Sequence, residues 1–290
     1  MRQKDIGRIL RAHSLTARAL TEFRVWQMGR QALFADLPHC VRLAEAGSTA
    51  VDVGASVGNY ALALRKAVGR GGRVLALEPN PAVYKELTRS TWGADVDARN
   101  LAASSANGTA ELLIPVDGVG RAEEPIASLE DRGRACIRVK VQRARLDDLL
   151  RDVHHVSVIK IDVEGHEADV IRGADEVLER HRPGLVIEIE QQHQTANRHV
   201  RDVVALLTGR NYECYGIHGE MLIPWAEFDV QRWQTAWLAA EKSYRNLHKT
   251  DYVNNFLFIH ESREQQYLPA RWASSSSSSL KTNSIRSAPA

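Results

Sequence analysis

Three short segments of this 290-residue chain gather residues whose types and spacing could do chemistry. The first is Val51-Asp-Val-Gly-Ala-Ser-Val-Gly-Asn59, an apolar run that enters a glycine turn and then a helix beginning near Asn59. Gly54 and Gly58 would let the backbone approach a ligand closely, where a Cβ atom would stand in the way. Their Gly-x-x-x-Gly spacing differs from the Gly-x-Gly-x-x-Gly that seats a pyrophosphate on a helix N-terminus. Asp52, just before the turn, would repel a pyrophosphate and suit a ligand with a positive charge or an ammonium donor. A glycine turn of this kind also joins strand to helix in many α/β proteins that bind nothing.

The second segment, Leu77-Glu-Pro-Asn-Pro81, places Glu78 twenty residues after Gly58. An acid at that offset, at the tip of a second strand, can accept hydrogen bonds from both hydroxyls of an adenosine ribose. Glu78 alone could be a solvated loop acid. Joined to the turn and to Asp52 it favours S-adenosylmethionine over NAD. Asn80 and Pro81 suit the cap and first turn of the next helix.

The third segment is Val158-Ile-Lys-Ile-Asp-Val-Glu-Gly-His-Glu167. An apolar strand ends in Asp162, and Glu164, His166 and Glu167 precede a helix. In a doubly wound sheet, ligands sit beyond the carboxyl ends of the strands where strand order reverses, so Asp162 is expected to face the cofactor's reactive end. His166, with an unperturbed pKa of ~6.5, could remove a proton near neutral pH, or the acids around it could simply open a helix. Leu185–His193 is a further strand with a polar end, and Glu188, Glu190 and His193 could reach the same crevice. Asp162, His166 and Glu188 are the candidates for the base. Asp162, Glu164 and Glu188 could also hold a divalent ion, but they lack a fixed ligand spacing.

These residues need a scaffold. Apolar runs at Ala50–Val53, Arg73–Leu77, Val156–Ile161, Leu185–Ile189, Tyr212–Ile217 and Val253–Ile259 alternate with helical segments near Asn59–Val68, Pro81–Thr91, Glu167–Arg180 and Arg198–Thr208. Strands and helices alternating in this way predict a parallel, doubly wound α/β sheet. Glu111–Ile114 and Cys136–Val141 read as extra strands near the third strand position. Residues 1–46 read as a helical extension, 47–262 as the main domain, 218–252 as an insertion that could cover an acceptor, and 273–290, with six consecutive serines, as a disordered tail. Trp233 and Trp237, four residues apart, should pack one helix face, or less simply stack on a sugar.

The charge balance narrows the partners. Net charge is +2, but residues 47–270 carry 27 basic and 32 acidic residues, which argues against a nucleic-acid enzyme with a basic face. Three scattered cysteines without a CxxC exclude a disulfide framework or a zinc ribbon. No signal peptide or membrane-spanning run is visible, so the expected location is cytoplasmic. The sequence does not reveal oligomeric state.

With these segments in place, the chain resembles the FkbM family of S-adenosylmethionine-dependent methyltransferases. The resemblance rests on Val51–Tyr60, Leu77–Pro81, Asn100-Leu-Ala-Ala-Ser104, Ile159–Glu167 and Asn255-Phe-Leu-Phe-Ile259, in the family's order and spacing across roughly residues 47–260. It implies a Rossmann-like class I methyltransferase fold, a seven-stranded, mostly parallel sheet with an antiparallel last strand. It also implies a cofactor site at Asp52, Gly54, Ser56, Gly58, Asn59, Glu78, Asn100, Ala102 and Asp162, with Asn100–Ala102 beside the adenine. Family members typically methylate hydroxyl oxygens of sugars and secondary metabolites, so the implied partner is a small-molecule or glycan acceptor. The Asn/Asp-Pro-Pro-aromatic motif usual in enzymes that methylate nucleobase amino groups is replaced here by Asp162-Val-Glu-Gly. Two competing readings are an NAD-dependent oxidoreductase on the same sheet and a cofactor-binding partner protein without catalysis.

Overall fold

A computed structural model of the chain describes residues 36–116, 127–131, 133, 135–194, 199–236 and 252–268. A short helix, α1 (Leu37–Leu43), leads into β1 (Thr49–Val53), α2 (Asn59–Val68), β2 (Arg73–Leu77), α3 (Pro81–Ser90) and β3 (Asp97–Arg99). The second half runs β7 (Val156–Ile161), α5 (Glu167–Arg172), α6 (Asp175–His181), β8 (Gly184–Glu188), α7 (Val200–Thr208), β9 (Tyr212–His218), β10 (Met221–Pro224), β11 (Asn255–His260) and α8 (Glu264–Tyr267). Between the halves lie β4 (Ala102–Ala103), β5 (Gly108–Pro115), β6 (Cys136–Ala144) and α4 (Leu146–Leu149).

The main sheet has the order β10-β9-β11-β8-β7-β1-β2-β3. β1 pairs in parallel with β2 on one side and with β7 on the other, so strand order reverses at β1/β7. All residues of β1 and β7 are buried, as central parallel strands covered on both faces require. β11 is antiparallel to both β8 and β9 and lies between them. Seven strands therefore follow the class I methyltransferase arrangement, last strand antiparallel. The eighth, β10, hairpins onto the edge strand β9 and comes from within the 218–252 segment expected to be an insertion. The two extra strands, β5 and β6, pair with each other, and β6 also with β4, in a separate sheet instead of joining β3.

Alternation along the strands divides the core between the two faces. Val51, Val53, Ile159, Ile161, Leu185 and Ile187 face α5, α6 and α7. Ala50, Val74, Val158, Val186 and Leu257 face α1 and α2. The single helix expected over Glu167–Arg180 is two helices broken at Gly173-Ala174. A Cβ on Gly173 would stand 2.0 Å from the Ser104 carbonyl oxygen, so the chain must bend around the end of β4 there. Asn80 Oδ1 accepts from the Ala82 amide at 3.0 Å and Pro81 opens α3, as its sequence suggests. The three cysteines are free, and no described helix is long and apolar enough to cross a membrane. Most of 1–46, residues 237–251 with Trp237, and the Ser-rich tail lie outside the described residues.

Candidate active site

The turn after β1 is shaped by left-handed backbone at Gly54 (φ 77°), Ser56 (φ 48°) and Gly58 (φ 90°). Both glycines answer to the protein's own packing. A Cβ on Gly54 would lie 1.7 Å from the carbonyl oxygen of Asp162, and one on Gly58 would lie 2.8 Å from Leu87 Cδ1. The turn therefore closes onto the end of β7 and the flank of α3. Glu78, at the tip of β2, holds it from the other side: Oε2 accepts from the Ser56 amide at 3.0 Å, and Oε1 from the Asn80 amide at 2.8 Å. Burial pushes the Glu78 carboxyl up to about 7 despite those two donors. The Asn100 amide donates to the Glu78 and Pro79 carbonyls at 2.8 and 2.9 Å, so this side chain buttresses the loop.

A cavity of about 400 Å³ opens beyond the carboxyl ends of β1, β2 and β7, within the size range of small-molecule sites. Of the residues expected to form the site, Gly54, Ser56, Glu78, Ala102, Asp162 and His166 line it. Asp52, Gly58, Asn59, Asn100 and Glu188 do not. Gly58 and Asn100 shape the loops around it, and Asn59 opens α2. Asp52 lies behind β1 with its Oδ2 buried and without a hydrogen-bond partner, and burial raises its carboxyl to about 7. Sequence reasoning did not single out the apolar wall of Val83, Leu112 and Leu129, nor Glu86 and Ser128, whereas Leu101, within the Asn100–Ala102 stretch expected beside the adenine, does line the cavity. Four carboxylates, Glu78, Glu86, Asp162 and Glu164, face the cavity, and no described lining residue is a lysine or arginine.

Asp162 is held by its main chain, its amide donating to the Val53 carbonyl at 2.9 Å. Burial raises its carboxyl to about 6, with Lys160 pulling the other way. His166 has both ring nitrogens engaged: Nδ1 lies 2.6 Å from Glu130 Oε1, and Nε2 lies 3.0 Å from Ser104 Oγ. Ser128 Oγ donates to the Glu164 carbonyl at 2.7 Å. Together these bonds clasp the 127–131 segment over one wall of the cavity. Glu164 itself has left-handed φ (56°), a conformation costing ~1–3 kcal/mol that surrounding contacts must hold. His193 is buried, its Nδ1 2.8 Å from Glu164 Oε2, not the surface residue its isolation in sequence suggests. The Asp162, Glu164 and Glu188 trio does not form a convergent ligand set. Glu130, His166 and Asp169 do converge, with His166 bonded to Glu130 and Ser104 and Asp169 accepting from Ser105. Trp233 is buried, stacked near Phe228 and beside His218, and so serves the core.

Comparison with known proteins agrees with this layout. The methyltransferase FkbM domain description matches residues 52–214. The methyltransferase sdnD of Sordaria araneosa is 28% identical over 170 residues, covering 48% of this chain and 65% of that protein, so the chain spans just under two thirds of this curated relative. Among solved structures, methyltransferase FkbM from Methylobacillus flagellatus KT is 17% identical, with a TM-score of 0.44, over 74% of this chain and 44% of that one. The O-methyltransferase from Bacillus cereus, in complex with SAH, is 12% identical, with a TM-score of 0.41, over 78% of each chain. The domain match spans more than half of the sequence and takes in the glycine turn, Glu78 and the Asp162–Glu167 segment, and the chain belongs to the FkbM family of S-adenosylmethionine-dependent methyltransferases.

Proposed function

We propose that this chain transfers the methyl group of S-adenosylmethionine to a hydroxyl oxygen of a sugar or secondary metabolite. The observation that carries the reading is the cavity at the β1/β7 switch point, walled by Glu78, Glu86, Asp162 and Glu164 with no lysine or arginine among its described lining residues. The pyrophosphate of a dinucleotide such as NAD would meet these carboxylates with no cation among the described lining residues to offset them. A ligand with net positive charge is favoured. The fit to the cofactor is chemical as well: Glu78 is fixed by two amides with lone pairs left over for ribose hydroxyls. Ala102 and Leu101, beside an apolar wall, suit the adenine.

When bound, S-adenosylmethionine supplies a methyl group already activated on a sulfonium. The protein's part is alignment, which can contribute up to ~7–11 kcal/mol, and removal of the acceptor's proton. We assign that proton to Asp162. Its carboxyl lines the cavity and titrates near 6, so it is ionised and still basic at neutral pH. Asp162 would take the acceptor's hydroxyl proton during transfer, at the cavity wall where the sulfonium would lie. Glu188 is a poorer candidate because it does not line the cavity, and burial together with the neighbouring Asp162 pushes its carboxyl well above the ordinary range. His166, with both nitrogens bonded, holds the 127–131 segment in place.

Asp162-Val-Glu-Gly supports oxygen over a nucleobase amine as acceptor, and the acidic cavity argues against a nucleic-acid partner. The test is methyl transfer from labelled S-adenosylmethionine to a panel of sugars, glycosides and polyketide alcohols, with amines and RNA alongside. Product on a hydroxyl supports the reading. Label carried only by amines or RNA contradicts it.

A further inference from the structure

Lys160 belongs to the β7 segment but takes no part in lining the cavity. It is 1% exposed, one of the largest fully buried side chains among the described residues. Register places it opposite Asp52 on β1 and Val186 on β8. Two residues beyond Val186, Glu188 pairs with Asn255 of β11. With side chains alternating along each strand, Asp52, Lys160, Glu188 and Asn255 form a polar row on the sheet face covered by α1 and α2. The Lys160 ammonium lies 3.3 Å from Asn255 Oδ1, 3.7 Å from Asp36 Oδ2 and 3.9 Å from Asp162 Oδ2. The Tyr60 ring lies beneath it, 5.2 Å from the ammonium, and the Tyr60 hydroxyl donates to Asp36 Oδ1 at 2.6 Å.

Four carboxylates, from Asp36, Asp52, Asp162 and Glu188, thus surround one buried cation. They cannot all be ionised in a dry interior with a single positive charge among them. Asp52 is buried behind the strands and Glu188 is half-buried at the end of β8, whereas Asp162 alone of the four also borders the cavity. The other titratable groups facing this cluster are Cys40 on α1, Tyr60 on α2, Glu78 at the tip of β2, Glu164 and Glu167 beyond β7, and Glu190 beyond β8. None of these supplies a second cation.

We propose that Lys160 is a positioning residue that keeps the Asp162 carboxylate ionised at the cavity wall, so that the site distinguishes the cationic sulfonium of the methyl donor from the neutral thioether of its product. Asp36 opposes it, drawing the ammonium away and adding a like charge. The consequence is directional turnover: the ionised wall attracts the cationic donor, and once the sulfur is neutral that attraction is gone, whatever the charge left on Asp162. This rests on the cofactor and not on the identity of the acceptor, so it stands or falls separately from the hydroxyl reading above.

The test needs no acceptor. The dissociation constants of S-adenosylmethionine and S-adenosylhomocysteine are measured by calorimetry from pH 5 to 9, and their ratio isolates the charge on sulfur. Glu78 and Asp52 also rise to about 7; contacts to the adenosyl group common to both ligands cancel in the ratio, and the substitutions at Lys160 and Asp36 test whether the remaining pH dependence belongs to Asp162. In the unmodified protein the preference for the donor should fall by at least about fivefold, the low end of coupling between interacting sites, as pH drops through about 6. Lys160→Met should move that midpoint up by about 1–3 pH units, the usual effect of losing an opposite charge at this range. Asp36→Asn should move it down, while the amide oxygen it introduces can still accept from the Tyr60 hydroxyl. Opposite shifts from two neighbouring substitutions are not expected of a purely structural lysine. A ratio independent of pH in the unmodified protein overturns the proposal, as does a midpoint left unmoved by both variants. Should Lys160→Met fail to fold, an unmoved or raised midpoint in Asp36→Asn overturns it alone.

Discussion

Gly54→Ala tests whether the turn after β1 is built against the backbone of β7. The added Cβ would fall 1.7 Å from the Asp162 carbonyl oxygen and 2.8 Å from its carbonyl carbon, at a φ of 77°. Neither atom can rotate away, because the Asp162 amide is bonded to Val53 across the β1/β7 ladder. Gly47 supplies the control, with a similar φ of 82° and nothing within 4 Å. Both substitutions cost ~1–2 kcal/mol for a left-handed alanine. Gly54→Ala adds overpacking of roughly 1–3 kcal/mol, at the upper end because the obstacle is main chain. At about 2–4 °C per kcal/mol for a domain of this size, Gly54→Ala should melt several degrees below Gly47→Ala. Because the displaced carbonyl belongs to Asp162, it should also lose most of the stabilisation that S-adenosylmethionine gives. Differential scanning calorimetry with and without the cofactor reads both effects. Equal melting temperatures for the two variants, with equal cofactor shifts, would refute the close-approach argument.

Asp162→Asn should lower kcat by about 10²–10⁴-fold, the usual range for loss of a general base, with the acid limb of the rate profile removed; an unchanged kcat would return the proton to another group. The ligand-free protein should lose stability as pH rises from about 4 to 7. Asp52 and Glu78 rise from 3.8 and 4.5 to about 7 on folding, so the folded state binds their protons more tightly, and this contribution, complete below pH ~4, is lost as pH rises through 7. Urea midpoints read the slope, and Glu78→Gln should flatten it; a midpoint that climbs over that window would contradict the burial argument. Trp233→Ala should cost about 3–5 kcal/mol, as for a large core side chain, and lower the melting temperature without a specific effect on any sugar; a variant of normal stability would reopen the stacking role.

The doubly wound sheet was legible because β1, β2, β7 and β8 are short, mostly apolar runs bounded by glycines or polar residues, a pattern that local sequence carries. Strand order was legible only in part. β10 is four residues long and reads as a loop, and its place on the sheet edge is set by the hairpin with β9, not by its own composition. The break between α5 and α6 was hidden for a similar reason. The obstacle at Gly173 is the Ser104 carbonyl, 69 residues away in sequence. In the site, Glu78 and Asp162 announce themselves as acids at strand tips beside glycine turns. Lys160 does not, since a lysine in an apolar strand reads as a solvated edge residue until the register puts Asp52 opposite it. Asp36 and Tyr60 enter the same cluster from helices over the sheet, and no spacing along the chain foretells that contact. His166 shows the reverse case: its position suggested a base, and only the partners Glu130 and Ser104 reveal that both nitrogens are taken.

The central claim, that the cavity above β1 and β7 takes an adenosyl sulfonium and refuses a dinucleotide, is tested most directly by calorimetric titration. The unmodified protein and Glu78→Ala are each titrated with S-adenosylmethionine and with NAD. One S-adenosylmethionine per chain should bind to the unmodified protein and NAD should not bind. Glu78→Ala should weaken the cofactor by about 10–100-fold, as for loss of hydrogen bonds to a charged group. NAD binding in preference to S-adenosylmethionine, or a cofactor affinity indifferent to Glu78, would contradict the claim.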